Sequence, residues 1–226
     1  MKVTLVSYTP GALSLFSQAA RITRAKEDGH QNDEYYFKLL YQSGHHSVFE
    51  HVNFSFLIEN ISRACSHQLV RFRIGVSFTQ RSQRYTEESS FPYICPPSIK
   101  KNQEAFLLYQ NYIKMAQESY DKLVREGIPK EDARFVLPNS TCTSLIMTMN
   151  YRELIHSCGL RLCQKSQWEI RSLFWRIRAL VQKTEPLLAQ CLYPRCFHDH
   201  FCRESKPCHL KDYYLNKSTS WNLVKF

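Results

Sequence analysis

Apolar and polar positions alternate from the start of the chain. "KVTLVSY", residues 2 to 8, is rich in β-branched side chains and stops close to Pro10, which predicts a first strand; residues 12 to 23 then read as a helix. Asn32 and Asp33 offer an N-cap for "EYYFKLLYQS", and Gly44 offers the left-handed residue that ends such a helix. In "VNFSFLIEN" the apolar Val52, Phe54, Phe56 and Ile58 alternate with Asn53 and Ser55, the pattern of a half-buried strand.

Helical spacing returns in "ISRACSHQLV", where Ile61, Ala64, Cys65 and Leu69 form the apolar stripe and Arg63, His67, Gln68 and Arg71 lie largely off it. Gln68 and Arg71, three apart, share a face. A long amphipathic helix is predicted from Gln103 to Glu126, closed by Gly127 and Pro129. "STCTSLIMTM" reads as a strand, and "NYRE" at 150 to 153 as a capping box opening the next helix, Asn150 capping and Glu153 reaching back. The last strong element spans about Ser166 to Lys183, with Ile170, Leu173, Phe174, Ile177, Leu180 and Val181 on one stripe.

No internal repeat or Gly/Ser linker interrupts this order, and composition shifts only beyond Pro186, in a stretch rich in Cys, His and Tyr. The expected class is α+β: a single domain over residues 1 to 190, with a small sheet flanked by helices, and a tail over 191 to 226 packing on it. A chain of 226 residues with 43% hydrophobic and 13% aromatic content can enclose one core and is not disordered. It contains no run of roughly 18 uninterrupted apolar residues, so no membrane span is expected. Nine cysteines, an odd number, with no secretory signal ahead of them, predict free thiols in a reducing cytoplasm.

The net charge of +10 attracts anions but does not choose among phosphates, nucleic acid and lipid. "RFRIGVSFTQRSQRY", residues 71 to 85, narrows the choice, because its four arginines have no acidic neighbour. The guanidinium fork matches phosphate or a pyrimidine carbonyl edge. A solvated basic face is the commoner fate of such runs, yet Gln80, Ser82, Gln83 and Tyr85 woven between the arginines favour a compact anion pocket.

"QLVRFRIGVSFTQRSQRY" resembles the signature of the flavin-dependent thymidylate synthases, Arg-His-Arg, seven residues, then Ser and shortly another Arg. "SGHHSVFEH", "GIPKEDARFVLP", "MNYREL" and "GLRLCQKSQWEIR" resemble further segments of that family in its order and spacing, over about residues 1 to 190. On these five segments the chain is identified as a member of the family. It departs in two places: Phe72 stands where the family has His, and eight residues separate Arg73 from Ser82, as if one were inserted near Gly75 or Val76.

The resemblance implies reductive methylation of dUMP to dTMP, with FAD as cofactor, methylenetetrahydrofolate as carbon donor and NADPH as reductant. It implies no cysteine nucleophile, and none lies within the arginine motif. By matching position, dUMP falls to Gln68, Arg71, Gln80 and Ser82, with Arg84 and Arg134 as phosphate partners; Gln83 and Arg81 join the candidates, Arg81 at a position not typically Arg, with simple solvation as its alternative. Arg161 is the matching catalytic residue, promoting ionisation at uracil N3, and His45 matches a histidine near flavin and folate. FAD falls to Thr23, Ser47, Glu50, Arg71, Phe72 and Arg73, and also to Ile74, Gln80, Asn150, Arg152 and His156. At Phe72 a ring-nitrogen hydrogen bond is lost, although the ring can still pack against the cofactor. Ser82 is read as an anchor for phosphate or backbone, not a nucleophile.

The family is homotetrameric with shared sites, so Arg134 and Arg161 are expected to act in a neighbour's site. No nucleic acid or membrane partner is expected. Two alternatives remain: another pyrimidine substrate or a weakened step, motivated by Phe72 and the extra residue; and a non-enzymatic RNA-binding protein, motivated by charge and 13 tyrosines. In the tail, Cys191, Cys196, His198, His200, Cys202, Cys208 and His209 raise the question of Zn²⁺. Their spacing is not a paired C-x-x-C, so no metal is assigned and Zn²⁺ is the lesser alternative to simple packing.

Overall fold

A computed structural model describes residues 1–24 and 32–219. The class is α+β, with a four-stranded sheet of order β1-β2-β4-β3. Its strands are β1 (Lys2–Tyr8), β2 (Asn53–Ser62), β3 (Val76–Gln80) and β4 (Cys142–Asn150). Ahead of β2 lie α1 (Ala12–Arg24), α2 (Asp33–Gln42) and a 3₁₀ helix, His46–His51; α3 (Arg63–Leu69) follows it. Between β3 and β4 come α4 (Pro97–Lys100), α5 (Gln103–Arg125) and α6 (Lys130–Ala133), which runs into a 3₁₀ turn, Arg134–Val136. After β4 the chain is helical: α7 (Tyr151–Arg161), α8 (Trp168–Thr184), α9 (Pro186–Ala189), α10 (Arg195–Asp199) and α11 (Lys211–Thr219). Among the described residues no helix is long and apolar enough to cross a membrane.

The chain divides into two compact units. One comprises Met1–Lys2, Ile58–Arg71 and Phe78–Ile146; the other comprises Val3–Leu57, Phe72–Ser77 and the chain from Met147 on. The second unit is built on aromatics. Phe16 of α1, Phe37 of α2, Phe49 of the 3₁₀ helix, Phe54 of β2 and Tyr151 of α7 are all fully buried. Phe16 meets Phe49 edge-on at 4.9 Å and Phe49 meets Tyr151 at 5.5 Å, each pair contributing about 0.5–1.5 kcal/mol beyond its burial. The Tyr151 hydroxyl donates to the Leu188 carbonyl at 2.7 Å, so the one polar atom of that ring is satisfied. Ile170, Leu173, Phe174, Ile177 and Val181 of α8 are fully buried along the predicted stripe.

The first unit centres on α5. Asn102 caps it, accepting from the Ala105 amide at 3.0 Å, and Gly127, at φ +81°, ends it as expected. Its inner face buries Ile113 and Ala116 against Phe91, and Tyr120 fully. The Tyr120 hydroxyl accepts the Glu88 amide at 3.1 Å.

Three local expectations are corrected. Ile61 and Ser62 finish β2 instead of starting the helix, and the Ser62 hydroxyl caps α3 by accepting from the Cys65 amide at 3.0 Å. Asn150 does cap α7, taking the Glu153 amide at 2.9 Å. Glu153, however, does not reach back: the Asn150 amide is already given to the Gly75 carbonyl at 2.8 Å, and the Glu153 carboxylate accepts from Ser157 at 3.1 Å. Strand β3 lies inside the arginine stretch and was not anticipated there, because the charges flanking "VSFTQ" hide its period-two pattern.

Candidate functional site

In the first unit, the candidates for dUMP are arranged by β3, by the turn after it and by α6. Gln80, at the end of β3, donates from Nε2 to the Ser66 and Thr143 hydroxyls, each at 3.1 Å. This pins the strand end to α3 and β4. Ser82 opens the turn: its hydroxyl accepts the Arg84 amide at 3.2 Å, and its carbonyl accepts the Thr86 hydroxyl at 2.6 Å. These bonds fit an anchor. Gln83 is buried at 8% exposure, and its Nε2 has no hydrogen-bond partner within the protein, which leaves a donor for water or ligand. Gln68 stands on α3 and Arg71 is exposed just beyond it.

The cations of this unit converge. Arg84 Nε lies 2.9 Å from the Glu131 carboxylate, and Arg134 Nε donates to the Glu131 carbonyl at 3.0 Å. The two expected phosphate partners, fifty positions apart in sequence, therefore meet on one residue. Arg81 is not merely solvated; it pairs at 3.4 Å with Glu88, which is 2% exposed. Burial holds the Glu88 carboxyl above its usual range, against the pull of Arg81 and Arg63.

Arg63 is the residue that sequence reasoning missed. Burial, and then the charge of Arg134, push its guanidinium below its ordinary value, while Glu88 opposes both. Arg63, Arg81, Arg84 and Arg134 thus share a cluster, with Glu88 and Glu131 among them, and the excess of positive charge is suited to a dianion. The available signal was the place of Arg63 off the apolar stripe of "ISRACSHQLV".

In the second unit, the flavin candidates lie on the loop before β3, the 3₁₀ helix and α7. Asn150 packs against Gly75 so closely that a Cβ at 75 would fall 2.6 Å from Asn150 Cγ and 2.7 Å from Oδ1, and Gly75 has φ +65°. The loop Arg73, Ile74, Gly75 therefore turns tightly, next to the place where the extra residue is expected. It leaves Ile74 80% exposed. Glu50 of the 3₁₀ helix pairs with Arg152 of α7 at 2.5 Å. Arg152 and His156, one turn apart on α7, line one cleft with Tyr41 and His46. Ser47 lines another with Ile22 and His51. Thr23 stands in the last turn of α1, and its side chain lies outside those described.

Phe72 is 8% exposed, with His156 edge-on at 6.3 Å, Phe174 at 6.1 Å, and the Arg161 guanidinium 5.2 Å over its ring. The ring is covered by protein. His45 is exposed at the head of the 3₁₀ helix and gives no capping bond. Its neighbour His46 is the engaged one, bonded to the Tyr41 carbonyl at 3.0 Å and stacked on Tyr41. Exposed Arg73 and Arg152 and bare Ile74, on a loop whose Gly75 leaves no room for a side chain beside Asn150, are suited to an anionic, partly apolar dinucleotide.

The model of the thymidylate synthase complementing protein family matches residues 4–187. The chain is 40% identical over 223 residues to the flavin-dependent thymidylate synthase of Pyrococcus furiosus, covering 90% of each chain. It is 40% identical over 207 residues to that of Geobacter sulfurreducens, covering 87% of this chain and 88% of the relative. It is 41% identical over 220 residues to that of Pyrococcus horikoshii, covering 90% of each. The chain belongs to the thymidylate synthase complementing protein family, that of the flavin-dependent thymidylate synthases.

Proposed function

We propose that the protein converts dUMP to dTMP with FAD as cofactor, methylenetetrahydrofolate as carbon donor and NADPH as reductant. The observation that carries this reading is the convergence of Arg84 and Arg134 on Glu131 beside Arg63 and Arg81. It is an anion site assembled from the segments that match the family.

In this reading the dUMP phosphate displaces the Glu131 carboxylate from Arg84 and is held by Arg84 and Arg134, with Gln80 and Ser82 keeping the turn in register. Arg161 faces uracil O2 and N3 and stabilises the ring with N3 deprotonated, which raises electron density at C5. FAD, when bound, supplies the relay of reducing equivalents and of the one-carbon unit. By the family's matching positions, the residues to hold it are Thr23, Ser47, Glu50, Arg71, Phe72, Arg73, Ile74, Gln80, Asn150, Arg152 and His156. His45 borders the folate. No side-chain nucleophile is needed, consistent with Ser82 serving the turn.

We further propose a homotetramer of the family's fold, located in the cytoplasm, in which Arg161 completes a neighbour's site, whereas Arg134, expected there too, stays with Arg84 in its own chain's site, and residues 191 to 226 pack on the domain formed by 1 to 190. The relatives do not favour another pyrimidine substrate or RNA binding. The test is to load the purified protein with FAD, remove the unbound fraction, record the visible spectrum with and without dUMP, and assay dTMP. Retained flavin whose bands shift with dUMP, followed by dTMP formation, is expected. Retained flavin with no dTMP from the complete mixture overturns the reading.

A further inference from the structure

Four cysteines that are scattered in sequence line one cavity of the second unit, with a volume of about 190 Å³: Cys163, just beyond α7, Cys196 of α10, and Cys202 and Cys208 in the connection to α11. The set differs from the one the tail suggested. Cys191 is fully buried beside Tyr151 and Tyr41, and His198 bonds Tyr41 and the Tyr193 carbonyl. Cys163, from outside the tail, takes their place.

Several features single out this cavity. The Lys165 amide donates to Cys163 Sγ at 3.5 Å and the Phe197 amide to Cys196 Sγ, bonds that also steady a metal thiolate. All four cysteines belong to the lining of this one cavity. Lys165, Arg195, Arg203 and Lys211 also line the cavity and would offset the negative charge that four thiolates leave around a dication.

Beyond Pro194 the described residues bury only Phe197 and Tyr214, which pack with Tyr193 on Trp175, and the helices there, α10 and α11, span 5 and 9 residues. Small units with so few buried side chains are commonly stapled.

We propose that Cys163, Cys196, Cys202 and Cys208 form a structural site for a thiophilic divalent cation such as Zn²⁺, tying the tail to the end of α7. Among the described residues no three such side chains already stand at coordination distance of one point. The ion therefore draws the sulfurs inward, and Cys163, Cys202 and Cys208, all outside helices and strands, follow toward Cys196 of α10. Four sulfurs without an open position make the site structural, not catalytic. This inference does not rest on the thymidylate synthase reading.

The test is metal content of the full chain, purified without chelator and refilled with ZnCl₂, by elemental analysis. On the order of one zinc per chain is expected, lost in Cys202→Ser/Cys208→Ser and kept in Cys95→Ser. Co²⁺ added to the metal-free wild type is a second measurement that needs no variant: thiolate-to-cobalt charge-transfer bands are expected. Absence of those bands, no stoichiometric zinc, or zinc unaffected by the double substitution each overturns the proposal.

Discussion

The Arg161 guanidinium carbon lies 5.2 Å above the centre of the Phe72 ring. The face of an aromatic ring is negative, so this is an attractive contact worth about 0.5–2 kcal/mol. Phe174 backs the ring and His156 abuts its edge. The residue that departs from the family's arginine motif is thus a support for the arginine expected to act on the uracil. Phe72→Leu, which keeps volume but removes the ring, is expected to lower kcat by about 2- to 30-fold with little change in dUMP KM, whereas Phe72→Tyr stays near wild type. Equal kcat in the Leu and Tyr variants would show that Arg161 is held by something else.

Glu131 occupies the guanidinium that the phosphate is expected to take. Removing its charge frees Arg84 without altering the carbonyl that holds Arg134. Glu131→Gln is expected to lower the dUMP Kd a few-fold, on the order of 1 kcal/mol or less for an exposed pair. Arg84→Ala is expected to raise it at least about tenfold, as loss of a charged hydrogen bond does. Titration calorimetry with dUMP distinguishes the two, and opposite signs are the outcome that matters.

Gly75 and Gly44 both have positive φ, +65° and +77°, but only at Gly75 would a side chain collide, meeting Asn150. Gly44→Ala is expected to cost about 1 kcal/mol through backbone strain alone. Gly75→Ala should cost more, about 2–4 kcal/mol, because Asn150 must also leave its cap on α7. Thermal melts give the order, and flavin retention should fall only for Gly75→Ala.

Burial raises the Glu88 carboxyl above its ordinary value, with Arg81 and Arg63 only partly opposing it. Between the ordinary value of 4.5 and the raised one, the native chain keeps a proton that the unfolded chain has lost. The stability contribution is therefore full below 4.5, declines as pH rises through that window, and leaves a cost at neutral pH. Glu88→Gln should match wild type in Tm near pH 4 and exceed it near pH 7.5. A variant less stable at pH 7.5 than at pH 4, relative to wild type, would mean that the two arginines outweigh desolvation.

Long periodic segments were legible in the sequence because burial there is a property of one helix or strand at a time. The α8 stripe, the Asn32 and Asn150 caps and the Gly44 and Gly127 stops need only local spacing and local φ. The arginine motif, the five ordered segments and hence the family were legible too, since they are patterns of residue type and spacing along one chain. What the tertiary structure alone decided depends on pairs distant in sequence. Arg84 meets Arg134 through Glu131, Arg63 joins them past Glu88, Phe72 lies under Arg161, and Cys163 comes to the tail cysteines. No spacing rule reports these encounters, because loop closure costs little more for a long segment than for a short one. Packing of the buried faces, not separation along the chain, selects which polar groups meet.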